Sequence, residues 1–286
     1  MTISRKIEGF ISQSSWIRKM FEDGVRLKKE YGAENVFDFS LGNPDLSPPK
    51  QFSEVLRETA AEEIPSMHSY MPNAGYPDVR AKVAAYMSEE HGVEMSADHI
   101  IMTCGAGGAL NIALKTLLDP GDEVIIPTPF FVEYRFYLDN FAGTPQLVKT
   151  KDDFSLDLDN IKSAISRKTK AVLINSPNNP TGKVYDENSI RALSVILEEK
   201  SKELGKDIYL LSDEPYRDIV YDGVKVPSVM KAYKNSLVAT SYSKNLSIPG
   251  ERIGFLALNP ALSDIELVKG GAIMCNRILG YVNAPA

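Results

Sequence analysis

From about residue 75 onward, short apolar runs rich in β-branched residues alternate with segments whose hydrophobic positions recur at helical spacing. HIIMT (99–103), EVIIP (123–127), PQLVKT (145–150), AVLINS (171–176), IYLLSD (208–213), LVATS (237–241) and RIGFLAL (252–258) predict strands. YPDVRAKVAAYMSEEHG (76–92), GGALNIALKTLL (107–118), the aromatic run FFVEYRFYLDNF (130–141) and the stretches 157–166 and 186–204 predict helices. Further upstream, SSWIRKMFEDGVRLKKEYG (14–32) sets Trp16, Met20 and Phe21 at helical spacing between a serine and Gly32, which predicts an amphipathic helix. NVFDFSLG (35–42) predicts a short strand ending in glycine. Apolar strands alternating with helices imply an α/β fold, a mostly parallel sheet covered on both faces. There is no internal repeat and no low-complexity segment.

Composition narrows the class. The 286 residues are 43% hydrophobic and 24% charged, as in a soluble globular chain with room for one large α/β domain or two modest ones. A formal charge of −6 argues against a nucleic-acid partner, which calls for a basic face. Cys104 and Cys275 make neither a disulfide framework nor a zinc site, so no metal is expected. The opening MTISRKIEGF lacks the apolar core of a signal peptide, and no apolar run is long enough to span a membrane. The expected location is the cytoplasm.

In parallel sheets ligands bind beyond the carboxyl ends of the strands. Read in order, those ends are TCGAGGAL, PTPFFVEY, NSPNNPTG, SDEPY and TSYSK. Cys104 to Gly108 form a small-residue turn before a helix. Such a turn lets backbone N–H groups approach a phosphate, or simply allows close packing. Phe130, Phe131 and Tyr134 offer either a core face or a surface for a flat ring. Asn179 sits in a rigid, proline-rich loop and either shapes the turn or donates to a ligand oxygen. Asp213 follows an apolar strand, where a carboxylate is costly unless paired. It either caps a helix or meets a protonated ring nitrogen, with Tyr216 three residues on.

TSYSKNLSIPGERIG (240–254) crowds Thr240, Ser241 and Ser243 around Lys244, with Arg252 close behind. Most lysines are solvated, but one partly desolvated near other cations becomes a nucleophile that forms Schiff bases. Arg252 and Ser241 are suited to a phosphate. Jointly the strand ends describe one molecule. It has an aldehyde for Lys244, a ring nitrogen for Asp213, a ring oxygen for Asn179 and Tyr216, a flat face for Phe131, and a phosphate for the glycine turn, Ser241 and Arg252. That molecule is pyridoxal 5′-phosphate (PLP).

NSPNNPTG, SDEPY and SYSKNLSIPGERIG resemble the signature segments of class I/II aminotransferases, the fold-type-I PLP enzymes of the aspartate aminotransferase superfamily. The resemblance runs from about Leu41 to the end of the chain and is most specific around the lysine. It implies that Lys244 holds PLP as a Schiff base and shuttles the proton, with Asp213 on the pyridine nitrogen and Tyr216 and Asn179 on the ring hydroxyl. It implies that Phe131 stacks on the ring, and that Gly105, Ala106, Gly107, Ser241 and Arg252 hold the phosphate. Ser243, beside the lysine, is not among the implied ligands. SYMPNAGYPDVR (69–80) resembles the segment whose tyrosine, here Tyr70, reaches the neighbouring subunit's cofactor, which implies a homodimer with shared active sites. LGNPD (41–45) resembles the segment whose glycine, here Gly42, lies with Asn179 near the substrate carboxylate. The implied reaction moves an amino group between an amino acid and a 2-oxo acid.

The chain departs from that pattern at its end. VNAPA closes the sequence in or just after a helix, and no later arginine is present for the clamp that holds the substrate's α-carboxylate in the family. Arg277 matches a side-chain-carboxylate position only loosely, and a surface role on a helix is the plainer reading. The expected organisation is an N-terminal arm and part of a small domain (1–45), followed by the large PLP-binding domain (46–286), with the small domain incomplete. The given sequence is accordingly expected to be a piece of a longer enzyme. Two other functions fit the same cofactor residues: a PLP lyase, such as a carbon–sulfur lyase, and a PLP-binding module without turnover in this short form.

Overall fold

A computed structural model describes residues 2–39, 42–62 and 67–283, leaving aside the side chains of 12–18 and 21. The chain forms two compact units, Met1–Leu46 and Ser47–Ala286.

In the first unit one long helix, α1 (Arg5–Tyr31), starts well ahead of the predicted segment and stops at Gly32. Glu8 in its first turn and Lys28 and Lys29 in its last complement the helix dipole. Met20 is about half exposed, and the side chains of Trp16 and Phe21 lie outside the described residues. The strand expected in NVFDFSLG is not formed over its described residues. Asn35 ends a 3₁₀ turn, Val36 is extended, and 36–39 form no strand, with Phe37 83% and Phe39 94% exposed. Apolar alternation makes a strand only where a neighbour supplies the hydrogen-bond ladder. The Lys28 ammonium meets Asp38 Oδ2 at 2.7 Å and ties this segment to α1.

The second unit opens with α2 (Lys50–Ala61), an amphipathic helix that was not among the predicted elements and none of whose residues is buried. It continues with α3 (Pro77–His91), β1 (Ile100–Cys104), α4 (Gly105–Leu117), β2 (Glu123–Thr128), α5 (Tyr134–Asp139), β3 (Thr144–Lys149), α6 (Leu158–Ala164) and β4 (Thr169–Asn175). Then follow α7 (Glu187–Leu204), β5 (Tyr209–Asp213), α8 (Val229–Ala232), β6 (Ser236–Ser241), β7 (Ile253–Leu258) and α9 (Ile265–Leu279). Helix boundaries follow local chemistry. Pro77 opens α3 and Gly92, in the left-handed region at φ 58°, closes it; Asp186 caps α7 by accepting from Ser189 N. The helix predicted over 130–141 shrinks to α5, because the segment after Pro129 first makes a tight turn in which Tyr134 N donates to Phe131 O.

The strands form one sheet in the order β1-β7-β6-β5-β4-β2-β3. β7 is antiparallel to both of its neighbours and every other pair is parallel. The residues of each central strand alternate between two cores. Ile125, Val172, Ile174, Leu210, Val238 and Phe255 pack with α3, α6, α7 and α8. Val124, Ile126, Leu173, Leu211, Leu237 and Leu256 pack with α4, α5 and α9. Burial on both faces explains the continuous apolar runs, each such side chain contributing roughly 1.5–3 kcal/mol. The pairing also aligns the site. β2, β4, β5 and β6 all end at one edge. β1, antiparallel to an antiparallel strand, ends there as well, and β7 begins there.

Candidate active site

At that edge the register sets Cys104 opposite Ile253 and Ser241 opposite Gly254. Two groups of predicted residues assemble around these pairs.

The first group centres on Asp213, the last residue of β5 and almost fully buried. Its Oδ2 accepts from the Tyr134 hydroxyl at 2.5 Å, while Oδ1 is buried without a hydrogen-bond partner. Burial pushes the carboxyl up to about 7, against the lowering effect of Tyr134. Asn175 ends β4 one strand away. Its amide donates to the Asp213 carbonyl at 2.8 Å and its Oδ1 accepts from Asn179 N at 2.5 Å. Asn179 in turn donates to the Tyr216 hydroxyl at 3.3 Å. The Lys244 ammonium lies 6.0 Å from the centre of the Tyr216 ring, and burial lowers its pKa. The Phe131 ring meets Tyr134 edge-on at 5.5 Å. Asp213, Tyr216, Asn179, Lys244 and Phe131 are therefore linked by contacts through Asn175 and Tyr134.

The second group surrounds the first turn of α4. Gly105 adopts φ +75°, and a Cβ there would stand 2.9 Å from Arg252 Nη2. A Cβ on Gly254 would meet the Gly105 backbone at 2.6 Å, so two glycines let β7 and the start of α4 touch. Ala106 and Gly107 continue the turn. The Ser241 hydroxyl donates to Ser243 Oγ at 3.0 Å, so the serine set aside in the sequence supports the one singled out. Arg252, itself at φ 55°, donates to the Pro249 carbonyl and accepts from Asn283 on its own carbonyl. A guanidinium beside free helix N–H groups forms an anion cradle.

Tyr137 bridges the two groups. A Cβ on Gly107 would lie 3.1 Å from its hydroxyl, and both Asp213 and Arg252 act on it electrostatically. Burial pushes its pKa up to about 12. Neither Tyr137 nor Asn175 was singled out by the sequence, and Tyr134 was noted only as an aromatic. The 131, 134, 137 spacing, one turn apart each time, was the available signal.

Tyr70 is not drawn into either group. It is fully exposed, in a cleft of about 1100 Å³ shared with His68, Arg277 and Asn283. Gly42 lies in the unit Met1–Leu46. Among the described residues no cluster of His, Cys, Asp and Glu could hold a metal ion, and no helix is long and apolar enough to cross a membrane.

Known proteins share this arrangement of strands and loops. The amino transferase from Eubacterium rectale superimposes with a TM-score of 0.94 at 39% identity, over 100% of this chain and 72% of that one. The probable aspartate aminotransferase of Methanocaldococcus jannaschii is 34% identical over 257 residues, 89% of this chain and 66% of its own length. The aspartate aminotransferase of Pyrococcus horikoshii is 31% identical over 271 residues, 94% and 65% of the two chains. The chain thus spans just under two thirds of the length of these two curated relatives. Residues 34–278 match the family described as aminotransferase class I and II. That stretch carries every strand of the sheet and both groups of side chains at its edge, and the chain belongs to the class I and II aminotransferase family.

Proposed function

We propose that this chain binds PLP and, in its family's manner, moves an amino group between an amino acid and a 2-oxo acid. The family is PLP-dependent. The observation that carries the reading is Asp213. One carboxylate oxygen is held by Tyr134 and the other is buried without a partner, on a group that burial has already pushed up to about 7. Such a group is stabilised by a cation arriving at Oδ1, which is what a protonated ring nitrogen provides.

The remaining residues fit the same ligand. Gly105, Ala106 and Gly107 present the α4 N-terminus to a phosphate, with Arg252 alongside and Ser241 within the same edge. The Asn179–Tyr216 pair suits a ring hydroxyl, and Phe131 suits the ring face. PLP, when bound, supplies an electrophilic carbonyl and an electron-accepting ring. Lys244 then acts as nucleophile and base. Burial lowers its pKa and enlarges the neutral fraction able to take a proton from the substrate's α-carbon. Asp213 keeps positive charge on the ring nitrogen during that transfer. The exposed Tyr70 supports a homodimer in which this tyrosine reaches the neighbouring subunit's cofactor phosphate.

The test is the visible spectrum of the purified chain titrated with PLP, repeated with Lys244→Ala and followed by a panel of amino acids. A lysine-dependent band that bleaches with an amino acid, with release of its 2-oxo acid, is the expected result. Release of ammonia without a need for a second oxo acid would assign a lyase. A band that no amino acid changes would leave a cofactor-binding module. Absence of any lysine-dependent band would sink the proposal.

A further inference from the structure

Asp218 and Asn245 lie outside both groups of site residues, yet each sits within two positions of one. Asp218 follows Tyr216 in the turn after β5, where Ile219 N donates to the Tyr216 carbonyl at 2.8 Å. Asn245 directly follows Lys244. The Asn245 amide donates to Asp218 Oδ2 at 2.7 Å, and the Tyr86 hydroxyl, from α3, lies 3.3 Å from each Asp218 oxygen. A hydrogen bond to a carboxylate is roughly twice as strong as a neutral one. Turned over, the amide would set its oxygen against the carboxylate; as placed, its Oδ1 is buried without a hydrogen-bond partner, so the bond to Asp218 is what orients it.

The Asp218 turn is itself anchored. Arg217 pairs with Glu214 at 3.0 Å and donates to the carbonyls of Val226 and Pro227. The backbone bonds that close the lysine turn are longer. Leu246 N to Tyr242 O at 3.3 Å and Ser247 N to Lys244 O at 3.4 Å are long bonds, and Ser247 holds φ 56°. A lysine side chain has four rotatable bonds, so the placement of its amine depends on the placement of its backbone.

We infer that Asp218 is a positioning residue for Lys244. Acting through Asn245, it locks the lysine turn to the turn that carries Tyr216, so that amine and ring hydroxyl keep a fixed separation. The inference rests on the proposed role of Lys244 in capturing PLP, in which the amine adds to the aldehyde carbon and one water leaves.

The experiment follows the rate at which the lysine-dependent visible band forms after PLP is mixed with the full chain. It compares wild type, Asp218→Ala, Asn245→Asp and the exchanged pair Asp218→Asn with Asn245→Asp. Affinity for pyridoxine 5′-phosphate, which lacks the aldehyde, and the melting temperature are measured alongside. Asp218→Ala should slow capture by about tenfold, since misplacement of a reacting group by ~1 Å costs up to about a hundredfold. Asn245→Asp opposes two carboxylates and should be slower still. The exchanged pair restores donor and acceptor in reverse and should recover most of the rate. Pyridoxine phosphate affinity should stay within about twofold throughout, because the cradle is untouched. Capture at the wild-type rate in both single variants, or an exchanged pair as slow as Asn245→Asp, overturns the inference while leaving the cofactor reading standing. A fall in pyridoxine phosphate affinity and melting temperature that matches the loss of rate reassigns the pair to general stability and also overturns it. A wild-type chain without the band overturns the cofactor reading, and this inference with it.

Discussion

The Tyr134 hydroxyl, carried by the helix that follows β2, donates at 2.5 Å to Oδ2 of Asp213 at the end of β5, and it is the one side-chain donor that carboxylate has among the described residues. Tyr134 is itself fully buried, and burial together with Asp213 raises its pKa well above the ordinary phenol value, so it remains a donor across the working range. Tyr134→Phe removes the interaction that lowers the Asp213 pKa, leaving burial unopposed. A hydrogen bond to a charged group contributes about 1.5–3 kcal/mol. Affinity for PLP should fall by roughly ten- to hundredfold, and the pH at which binding weakens on acidification should move upward. Equilibrium titration of both proteins between pH 6 and 9 checks this.

A second expectation concerns stability without ligand. The Asp213 pKa is raised on folding to about 7, so its contribution is full below the unfolded value and is lost as pH rises toward 7. Buried His91 works in the opposite sense. Its pKa is pushed down to about 4 by burial, against the attraction of Glu214, which lies 3.5 Å away. Its contribution is full above the unfolded value near 6.5 and is lost as pH falls toward 4. The windows overlap and the slopes oppose, so urea midpoints of the wild-type chain should vary little between pH 4 and 6.5 on account of these two groups.

Each variant should expose the other slope. Asp213→Asn should become more stable than wild type above pH 7, by on the order of 4 kcal/mol at most, while losing PLP. His91→Gln should lose stability as pH rises from 4 to 7. Urea titrations across that range decide it. Parallel pH profiles for wild type and both variants would contradict the account.

The strands were legible in the sequence because both faces of the sheet are buried, which leaves unbroken runs such as EVIIP and AVLIN. The direction of β7 was not, since an apolar run reads alike either way and only its pairing with β1 and β6 sets it antiparallel. NVFDFSLG misled because alternation records a capacity to pair and not the presence of a partner. The site residues were legible where the chain makes an unusual local choice: a lysine among hydroxyls, a carboxylate ending an apolar strand. Tyr137 and Asn175 were not, because a tyrosine in an aromatic run and an asparagine at a turn are ordinary until the fold delivers Gly107 and Asp213 to them.

Gly254 gives a sharper test of packing. Its added Cβ would fall 2.6 Å from both the Gly105 backbone and the Thr240 carbonyl, and backbone cannot yield as a flexible side chain does. Gly254→Ala should cost about 3 kcal/mol, the upper end for overpacking, and should weaken inorganic phosphate binding as the α4 turn is pushed from Arg252. Gly270→Ala, where an added Cβ meets nothing within 4 Å, is the control and should be neutral or slightly stabilising. Urea midpoints and phosphate titrations of the two variants distinguish them.

β1 has a single neighbour in the sheet, and that neighbour, β7, is the last of the sheet's seven strands in sequence among the described residues. During synthesis β1 leaves the ribosome before the other strands of this sheet and has no partner in it until residues 253–258 follow. β6 likewise stays an open edge, with its apolar faces ready to pair with the wrong chain. The glycine turn after β1 cannot meet Arg252 before then either. Biosynthesis therefore keeps the first strand of this sheet waiting for the last, and a nascent chain stalled between them is exposed to aggregation at the edge where the glycine turn and Arg252 meet.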